Sequence, residues 1–537
     1  MPYKKTPWWK GAVLYQIYPR SFLDTNGDGI GDLRGCIQKL DYISALGVDA
    51  VWLSPFFPSP MDDFGYDVAD YCDVDPIFGT LTDFDAFIAA AHERGIKVVI
   101  DQVYSHSSDQ HAWFQESRRD KTNAKADWYV WADPKADGSP PNNWQSVFGG
   151  GAWEWDARRG QYYFHNFLTS QPDLNLHNID VQNALLDVAR FWLDRGVNGF
   201  RLDAINFAMH DPLLRDNPIT QNSNKVFTRP FDYQDQVYSQ SHDDITLFLK
   251  RIRSLTDMYD DIFTVAEVPG PDPLKEMKAF TQADTHLNAA YSFDFLYAPS
   301  ISEKLIKQAS LPWQDDDGWV AWAFSNHDSP RSVSRWAGTI HRADFAKITA
   351  MVLLMLRGNP ILFQGEELGL EQVEIAFEDL KDPEAIKNWP ETLGRDGART
   401  PMPWSKDASF LGFSDTKPWL PPGKAHETYA VSDQEGNPDS PLNFIRNLIK
   451  FRKNEPALVI GEIHFLDAPD GLLAFRRQHE NEQFLIVANF TDREIAWQAP
   501  VEITLDLLMV TNKAQTEITA AHGCVLPGSG YIARLSK

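Results

Sequence analysis

The chain has few cysteines and a deficit of positive charge, and each shortage excludes a class of protein. Three cysteines in 537 residues, Cys36, Cys72 and Cys524, are too few and too scattered for a disulfide framework or a zinc site. Lys and Arg number 50 against 75 Asp and Glu, so the net charge is −25. Because a surface that binds phosphates needs clustered positive charge, the sequence predicts no nucleic-acid partner.

Long apolar runs are also missing. No stretch approaches the roughly 20 apolar residues that cross a bilayer, and residues 1–10 contain no apolar secretion segment. We therefore expect no membrane contact and a cytoplasmic location. The sequence also lacks a Gly-x-Ser-x-Gly elbow and a glycine-rich phosphate loop after its first predicted strand. These absences argue against a serine hydrolase and predict no organic cofactor.

What the sequence does contain is a repeated alternation of β-rich apolar runs and helical patterns. Helical stretches at 37–46 and 83–94 separate the first three runs, and such alternation indicates parallel strands. Eight runs favour a closed (β/α)8 barrel, a TIM barrel, over an open sheet. The runs are Ala12–Phe22, Ala50–Phe57, Lys97–Tyr104, Val197–Phe207, Ile262–Val268, Tyr291–Phe295, Trp319–Phe324 and Pro360–Gln364.

The spacing of the runs predicts three domains. A gap far longer than one helix follows the third run, and it is rich in Trp, Pro and Gly, so residues 107–176 are expected to form an inserted, loop-rich subdomain. The barrel would comprise 1–106 and 177–457, with a long loop at 369–439 after the eighth strand. Alternating patterns in residues 458–537 predict a C-terminal antiparallel β domain, a β-sandwich.

Polar residues gather where four of the predicted strands end. Arg201 and Asp203 share one face of a short apolar strand, with Phe200, Leu202 and Ala204 expected on the other face. The other strand ends are Asp101 to His106, Glu267, and Asn326-His327-Asp328. In a barrel these ends open on one mouth, and paired carboxylates in an aromatic pocket are the groups that cleave glycosidic bonds.

These segments, with their spacing, resemble glycoside hydrolase family 13, the α-amylase family, over essentially the whole chain. The segment Gln171-Pro172-Asp173-Leu174-Asn175 is similar to the signature of the exo-acting α-glucosidase and oligo-1,6-glucosidase branch. The resemblance implies that Asp203 is the nucleophile, Glu267 the general acid/base and Asp328 the stabiliser of the transition state. We expect Arg201 to hold Asp203 ionised, and burial among carboxylates to raise the pKa of Glu267.

The resemblance also implies a set of substrate-binding residues. Asp63 would bind the far hydroxyls of the non-reducing glucose, and Tyr66 would stack on its ring. Three other residues would hold the remaining hydroxyls: His106, His327 and Arg399. Arg201 is also counted among the substrate-binding residues. A pocket closed by Asp63 and Arg399 would admit only a chain terminus and hence favour exo action on short sugars.

A second motif follows the first predicted strand. Asp24 to Asp32 places oxygens at positions 1, 3, 5 and 9 and glycine at position 6, as in an EF-hand loop, but position 12 is Gly35. We interpret it as a structural Ca²⁺ or Mg²⁺ loop, which is how the family uses it; an acidic turn without metal is the alternative. The expected ligands are Asp24, Asn26, Asp28, the carbonyl of Ile30, and Asp32.

The predicted function is a retaining exo-α-glucosidase that releases α-glucose from the non-reducing end of maltose, sucrose and similar short α-glucosides, with transglucosylation to sugar or alcohol acceptors. Alternatives are an oligo-1,6-glucosidase (isomaltase), a sucrose or trehalose isomerase, or a non-catalytic sugar-binding homologue. Ala204 stands where this branch has Val for α-1,6 and Thr for α-1,4 specificity. It leaves the linkage open, with a preference for α-1,4 because a small side chain gives more room. We expect a monomer or a homodimer.

Overall fold

A computed structural model describes residues 6–221, 227–270, 272–282, 285–314, 318–390, 394–499, 504–512 and 522–536. At its centre is a sheet of eight parallel strands, as the sequence predicts. In chain order they are β1 (Leu14–Ile17), β2 (Ala50–Leu53), β3 (Lys97–Val103), β7 (Gly199–Asp203), β8 (Phe263–Val268), β9 (Ala289–Ser292), β10 (Ala321–Ala323) and β11 (Asn359–Phe363). The intervening labels β4–β6 belong to a separate sheet described below.

The eight strands form a ring. Hydrogen-bonded neighbours run in the order β10, β11, β1, β2, β3, β7, β8, β9, and a parallel bridge between Ala290 and Val320 joins the two ends. Nearly every residue of these strands is buried. In the ring β7 and β11 lie opposite each other, with three strands between them in either direction. The (β/α)8 barrel is thereby confirmed.

Helices surround the ring and connect its strands. The first helical region begins at Asp32, whose carboxylate accepts a hydrogen bond from the Gly35 amide, and the third helix begins with a reciprocal cap between Thr80 and Asp83. The barrel helices are α1 (Leu33–Gln38), α2 (Leu40–Leu46), α3 (Leu81–Glu93), α5 (Ile179–Asp194), α6 (Ile245–Thr256), α7 (Pro273–Phe280), α8 (Glu303–Ser310), α9 (Ser332–Trp336) and α10 (Arg342–Met355).

Long segments leave the carboxyl ends of three strands. The connection after β3 contains α4 (Ala112–Ser117) and a three-stranded antiparallel sheet of β4 (Trp131–Ala132), β5 (Trp153–Asp156) and β6 (Gln161–Phe164). The connection after β7 runs to α6 and contains 3₁₀ turns. The connection after β11 contains α11 (Pro383–Asn388) and α12 (Val431–Glu435). The first of these connections includes the predicted inserted subdomain, whose boundaries stay a prediction.

The last part of the chain is antiparallel. After α13 (Pro441–Lys453) and α14 (Pro456–Val459), a five-stranded sheet joins β12 (Glu462–Phe465), β13 (Leu472–His479), β14 (Glu482–Asn489), β18 (Gly530–Ser536) and β16 (Thr504–Val510) in that order. A two-stranded sheet pairs β15 (Ile495–Gln498) with β17 (His522–Val525). The predicted C-terminal antiparallel β domain is confirmed.

The predicted strands overlap all eight observed ones, but several are too long. Pro19–Ser21 and Ile205–Ala208 are 3₁₀ turns that follow β1 and β7, and β9 ends at Ser292. At these places the apolar runs continue past the hydrogen-bonded strand because the turns are buried against the barrel. Apolar composition alone therefore could not give the strand ends.

Candidate active site

One cavity of about 580 Å³ lies at the carboxyl ends of the barrel strands. Asp203 is the last residue of β7, Glu267 lies near the end of β8, and Asp328 follows β10. All three side chains line the cavity, together with Asp63, Tyr66 and His106. The structure thus brings six of the nine predicted catalytic and substrate-binding residues to one surface.

The other three, Arg201, His327 and Arg399, are buried behind that surface. Arg399 donates to the carbonyl of His327 at 2.7 Å and to Oδ1 of Asp328 at 2.6 Å. The His327 ring is 2.6 Å from the Tyr66 hydroxyl and stacks on the Tyr66 ring, with centroids 5.2 Å apart. Buried residues of this kind hold the side chains that line the cavity in place. For Arg201, His327 and Arg399, direct contact with a sugar stays a prediction.

The strand register explains how Arg201 meets its partners. Asp101 on β3 lies opposite Arg201 on β7, and Glu267 on β8 lies opposite Tyr291 on β9. Nη1 of Arg201 is 2.6 Å from Oδ1 of Asp101 and 2.5 Å from Oδ1 of Asp203. Its Nη2 contacts Glu267. One guanidinium is therefore shared by three buried carboxylates.

This sharing corrects the expectation that Arg201 would keep the pKa of Asp203 low. Burial raises the pKa of Asp203 to about 7, and the attraction of Arg201 does not offset it because Asp101 and Asp328 add negative charge nearby. Burial also raises the pKa of Glu267 to about 7, as predicted. Burial therefore raises the pKa of both members of the pair, and their protonation is linked.

Two hydrogen bonds orient Glu267. The Tyr291 hydroxyl donates to its Oε1 at 3.0 Å, and the Ala204 amide donates to its Oε2 at 3.2 Å. Ala204 lies beyond the end of β7, has a left-handed backbone with φ of +35°, and lines the same cavity as Asp203. The prediction that Ala204 faces away from Asp203 is therefore wrong, because the strand alternation stops at Asp203.

Asp328 has the opposite electrostatic environment. Burial alone would raise its pKa, but the guanidiniums of Arg399 and Arg395 outweigh that effect and hold the pKa well below its ordinary value. Its Oδ2 is 3.2 Å from Nε2 of His327, and its Oδ1 is 3.5 Å from Nη1 of Arg395. Asp328 is therefore the carboxylate of this site that stays negatively charged.

The two histidines are neutral. Burial lowers the pKa of His106 to about 4 and that of His327 to about 3. The His106 Nε2 lies 3.0 Å from the carbonyl of Tyr66 and 3.1 Å from Nε2 of Gln171. Neutral rings can both donate and accept hydrogen bonds, as binding of sugar hydroxyls requires.

Arg395 is a cavity residue that the sequence did not reveal. Its Nη2 lies 2.8 Å from Oδ1 of Asp63 and 2.7 Å from Oδ1 of Asp382, and it lines the cavity, whereas Arg399 does not. The amide of Gln171 also donates to Asp63, at 3.0 Å. Both arginines lie in the segment 394–404, and nothing in its pattern says which one reaches Asp63.

Most of the remaining cavity wall was not predicted from the sequence either. Aromatic side chains from the connections after β3, β7 and β9 line it, and charged residues of the connections after β7 and β11 complete it. The aromatic residues are Phe148, Phe167, Phe207, Phe231, Phe293 and Tyr297, and the charged ones are Arg229, Asp232, Asp235 and Glu384. The abundance of aromatic residues in the chain indicated an aromatic pocket, but composition could not show which of them line it.

In the predicted metal loop, side-chain oxygens accept hydrogen bonds from other groups of the protein. Asp24 Oδ2 accepts from the Gly29 amide at 2.8 Å and from Ser414 Oγ at 2.6 Å. Asp32 caps α1 through Gly35 at 2.7 Å. Within the parts of the chain that the structure describes, no three His, Cys, Asp or Glu side chains are grouped so that they could hold a metal ion. The five predicted ligands stay a prediction.

Among the described helices, none is both long and apolar enough to cross a membrane.

The comparisons with known proteins extend over nearly the whole chain. The sequence model of the alpha amylase catalytic domain matches residues 16–461. The chain is 51% identical over 504 residues to a "Probable alpha-glucosidase" of Rhizobium meliloti (strain 1021), covering 92% of this chain and 91% of the relative.

Two further similar proteins also match nearly the whole chain. An "Oligo-1,6-glucosidase" of Heyndrickxia coagulans is 39% identical over 535 residues, covering 92% of this chain and 94% of the relative. The crystal structure of an alpha-glucosyl transfer enzyme, XgtA, superposes with a TM-score of 0.95 at 48% identity, covering 99% of this chain and 100% of that chain.

Proposed function

The chain belongs to the α-amylase family, glycoside hydrolase family 13, and on that premise we propose that it is a retaining exo-α-glucosidase with transglucosylating activity. It releases α-glucose from the non-reducing end of short α-glucosides. The observation that carries this proposal is the set of three carboxylates, Asp203, Glu267 and Asp328, lining one cavity that is bordered by the paired Asp63 and Arg395. Such a pocket favours a chain terminus over the middle of a polymer.

The first chemical step uses the state in which Glu267 is protonated and Asp203 is ionised. The Asp203 carboxylate attacks the anomeric carbon, and Glu267 donates its proton to the glycosidic oxygen as that bond breaks. The products are a glucosyl ester of Asp203 and a free sugar. Because Asp328 stays ionised beside the cavity, it stabilises the positive charge that develops on the glucose ring.

The second step reverses the roles. Glu267, now ionised, takes a proton from water or from an acceptor hydroxyl, whose oxygen attacks the anomeric carbon and releases Asp203. Two inversions give net retention of the α-configuration. The similarity to an alpha-glucosyl transfer enzyme supports the use of sugar or alcohol acceptors in this step.

Substrate binding in this proposal involves the residues around the inner end of the cavity. The Asp63 carboxylate accepts hydrogen bonds from glucose hydroxyls, the His106 ring forms hydrogen bonds with them, and Tyr66 packs against the sugar ring. Arg201, His327 and Arg399 hold these groups and the carboxylates in position. Arg395 is added to the predicted set because it pairs with Asp63 at the cavity wall.

An oligo-1,6-glucosidase is the alternative that one observation favours, since a relative with that name is 39% identical. A product analysis on maltose, isomaltose, sucrose and trehalose separates the candidates. The proposal expects glucose from maltose and sucrose. Strong release from isomaltose with negligible release from maltose would indicate the isomaltase, an isomeric disaccharide from sucrose or trehalose would indicate an isomerase, and no turnover would indicate a non-catalytic homologue.

We also propose that the loop from Asp24 to Asp32 binds a structural Ca²⁺ or Mg²⁺. Its donors are all oxygens, which suits a hard cation; Asp24, Asn26, Asp28 and the Ile30 carbonyl would hold it, and Asp32 is least available because it caps α1. Addition of Ca²⁺ after chelation should raise the melting temperature of the wild type and leave Asp28→Asn unchanged. An equal response of both would contradict the site.

The cytoplasmic location and the monomeric or homodimeric state are proposed from the sequence. Size-exclusion chromatography with light scattering tests the second point. A tetramer or a larger assembly would contradict it.

A further inference from the structure

A tyrosine on β9 links the guanidinium of Arg201 to the carboxyl group of Glu267. The Tyr291 hydroxyl lies 3.0 Å from Oε1 of Glu267 and 3.1 Å from Nε of Arg201. The strand register explains this placement, since Tyr291 pairs directly with Glu267 on the neighbouring strand β8. The tyrosine side chain is 1% exposed and does not line the cavity. Tyr291 therefore contacts Glu267 from its buried side.

The chemistry of the three groups fixes the direction of both hydrogen bonds. A guanidinium has N–H donors and no acceptor, so Nε of Arg201 donates and the Tyr291 oxygen accepts. The single hydroxyl proton of Tyr291 is then left for Oε1 of Glu267. Burial raises the pKa of Tyr291 well above its ordinary value, so the hydroxyl keeps this proton near neutral pH. Tyr291 is thus a permanent donor to one oxygen of Glu267.

The two oxygens of Glu267 consequently have different surroundings. Oε1 accepts from Tyr291 and also contacts Nη2 of Arg201, which is buried behind the cavity surface. Among the residues that the structure describes, the hydrogen-bond partner of Oε2 is the amide of Ala204, at 3.2 Å, and Ala204 lines the cavity. A proton on Oε1 would face two donors, whereas a proton on Oε2 faces one long hydrogen bond. The acid proton therefore belongs on Oε2.

Ionisable groups surround Glu267 on several sides. They are Arg201 and Asp203 on β7, Tyr291 on β9, Asp328 after β10 and, through Arg201, Asp101 on β3. Burial is the largest cause of the raised pKa of Glu267, and repulsion from Asp203 and Asp328 adds to it. The charge of Arg201 and the hydrogen bond from Tyr291 lower the pKa. Because a phenylalanine at position 291 would leave the four charged groups in place, it isolates the effect of the hydrogen bond.

We propose that Tyr291 is a positioning residue of the reaction, whose hydroxyl keeps Oε1 of Glu267 as an acceptor and reserves Oε2 for the proton that moves in both steps. This inference rests on the proposed function, because it concerns the role of Glu267 in that same site. In the first step Oε2 gives its proton to the glycosidic oxygen, and in the second step it takes one from water or from the acceptor hydroxyl. Tyr291 donates to Oε1 throughout and exchanges no proton with the substrate. Since a hydrogen bond to an ionised carboxylate is stronger than one to a neutral carboxyl group, Tyr291 favours the ionised form.

The experiment measures kcat/KM for maltose against pH in the wild type and in Tyr291→Phe. In the proposed mechanism the alkaline limb of this profile reports the loss of the proton from Glu267. Phenylalanine donates nothing to Oε1, so the ionised form loses stabilisation, and the midpoint of the limb should move up by about one pH unit. On 4-nitrophenyl α-glucoside, whose leaving group needs little protonation, the limb should be weak in both proteins. An equally strong limb on both substrates would assign it to another group and would overturn the inference.

The matched control is Tyr15→Phe. Tyr15 on β1 is also buried, and its hydroxyl donates to a carboxylate oxygen, Oε1 of Glu367, at 2.7 Å, but neither residue lines the cavity. The loss of this hydroxyl should lower the melting temperature and leave the midpoint of the alkaline limb unchanged. A purely structural role of Tyr291 would give that same pattern in Tyr291→Phe.

The outcomes separate this inference from the proposed function. If the wild type releases no glucose from maltose, the proposed function fails, and the inference fails with it. If it does, but the midpoint for Tyr291→Phe stays at the wild-type value or moves to lower pH, only the inference about Tyr291 is overturned. Should Tyr291→Phe lose its cooperative melting transition, 3-fluorotyrosine is incorporated at position 291 instead. Its more acidic hydroxyl is a stronger donor, so the midpoint should then move to lower pH, and an unchanged or higher midpoint overturns the inference.

Discussion

Nη1 of Arg201 lies 2.5 Å from Oδ1 of Asp203, two residues further along β7. Side chains two apart on a strand share a face, so this contact follows from the sequence. The same guanidinium also serves Asp101 and Glu267, which reach it from the strands on either side. The strand therefore supplies one cation to three carboxylates, which limits how far Arg201 can lower the pKa of Asp203.

Glu267→Gln should separate the two chemical steps. On maltose we expect kcat to fall by about three orders of magnitude, because glutamine cannot protonate the leaving oxygen. On 4-nitrophenyl α-glucoside the leaving group needs little protonation, so the glucosyl enzyme should still form. Stopped-flow absorbance should then show a burst of nitrophenolate followed by slow turnover, since glutamine cannot activate water for the second step.

Asp203→Asn is the matched control for that experiment. An amide cannot form the glucosyl ester, so we expect no burst and a loss of about four orders of magnitude on both substrates. The melting temperature should stay close to that of the wild type. Near-normal turnover of Asp203→Asn would refute its assignment as the nucleophile.

The raised pKa of Glu267 has a consequence for stability. Its pKa is about 7 in the folded protein against 4.5 for a free side chain, mainly because of burial. Between those values the folded state binds the proton more tightly, so the stabilisation is fully present below pH 4.5 and is lost as the pH rises toward 7. Glu267→Gln has no such loss. Its melting temperature should therefore exceed that of the wild type by more at pH 8 than at pH 4.5.

The control for the stability prediction is Glu93→Gln, an exposed position on α3. The difference between that variant and the wild type should be the same at both pH values. A difference for Glu267→Gln that is equal at both pH values, or larger at pH 4.5, would contradict a raised pKa.

Substitution of Ala204 should change the linkage preference. The side chain lines the cavity next to Asp203, so added methyl groups occupy space beside the reacting bond. Following the residues found in the two branches of the family, Ala204→Val should lower the maltose-to-isomaltose ratio of kcat/KM by about tenfold, and Ala204→Thr should raise it. Ala204→Gly should leave the ratio near the wild-type value and also suits the left-handed backbone.

The outcome that contradicts this prediction is equal ratios in the valine and threonine variants. Because both residues are β-branched and strained at a positive φ, their melting temperatures should be measured alongside. A shared loss of stability would not by itself shift one ratio against the other.

The barrel and most of the inner site could be predicted from the sequence, because they depend on local patterns. Asp203 and Glu267 lie within or at the end of apolar strands, and the parallel arrangement of those strands requires their ends to meet. The pKa of Asp203 could not be predicted in this way. It depends on how many carboxylates share Arg201, which is a property of the register between β3, β7 and β8.

The long connections were the part that the sequence could not place. Arg395 and Arg399 lie four residues apart in one irregular segment, and only the fold shows that Arg395 pairs with Asp63 while Arg399 lies behind Asp328. Arg229 and Glu384 form an ion pair at the cavity wall although they are 155 residues apart, and no periodicity links them. Contacts between loops depend on the whole barrel and not on local preference.

The proposed reaction is cleavage of α-glucosides with retention, through a glucosyl ester of Asp203. Proton NMR of maltose hydrolysis, recorded within the first minutes before mutarotation, tests it most directly. We expect the glucose from the non-reducing end to appear first as the α-anomer, and the β-anomer to form later at the rate of mutarotation. The β-anomer as the first product would mean inversion and would contradict the account.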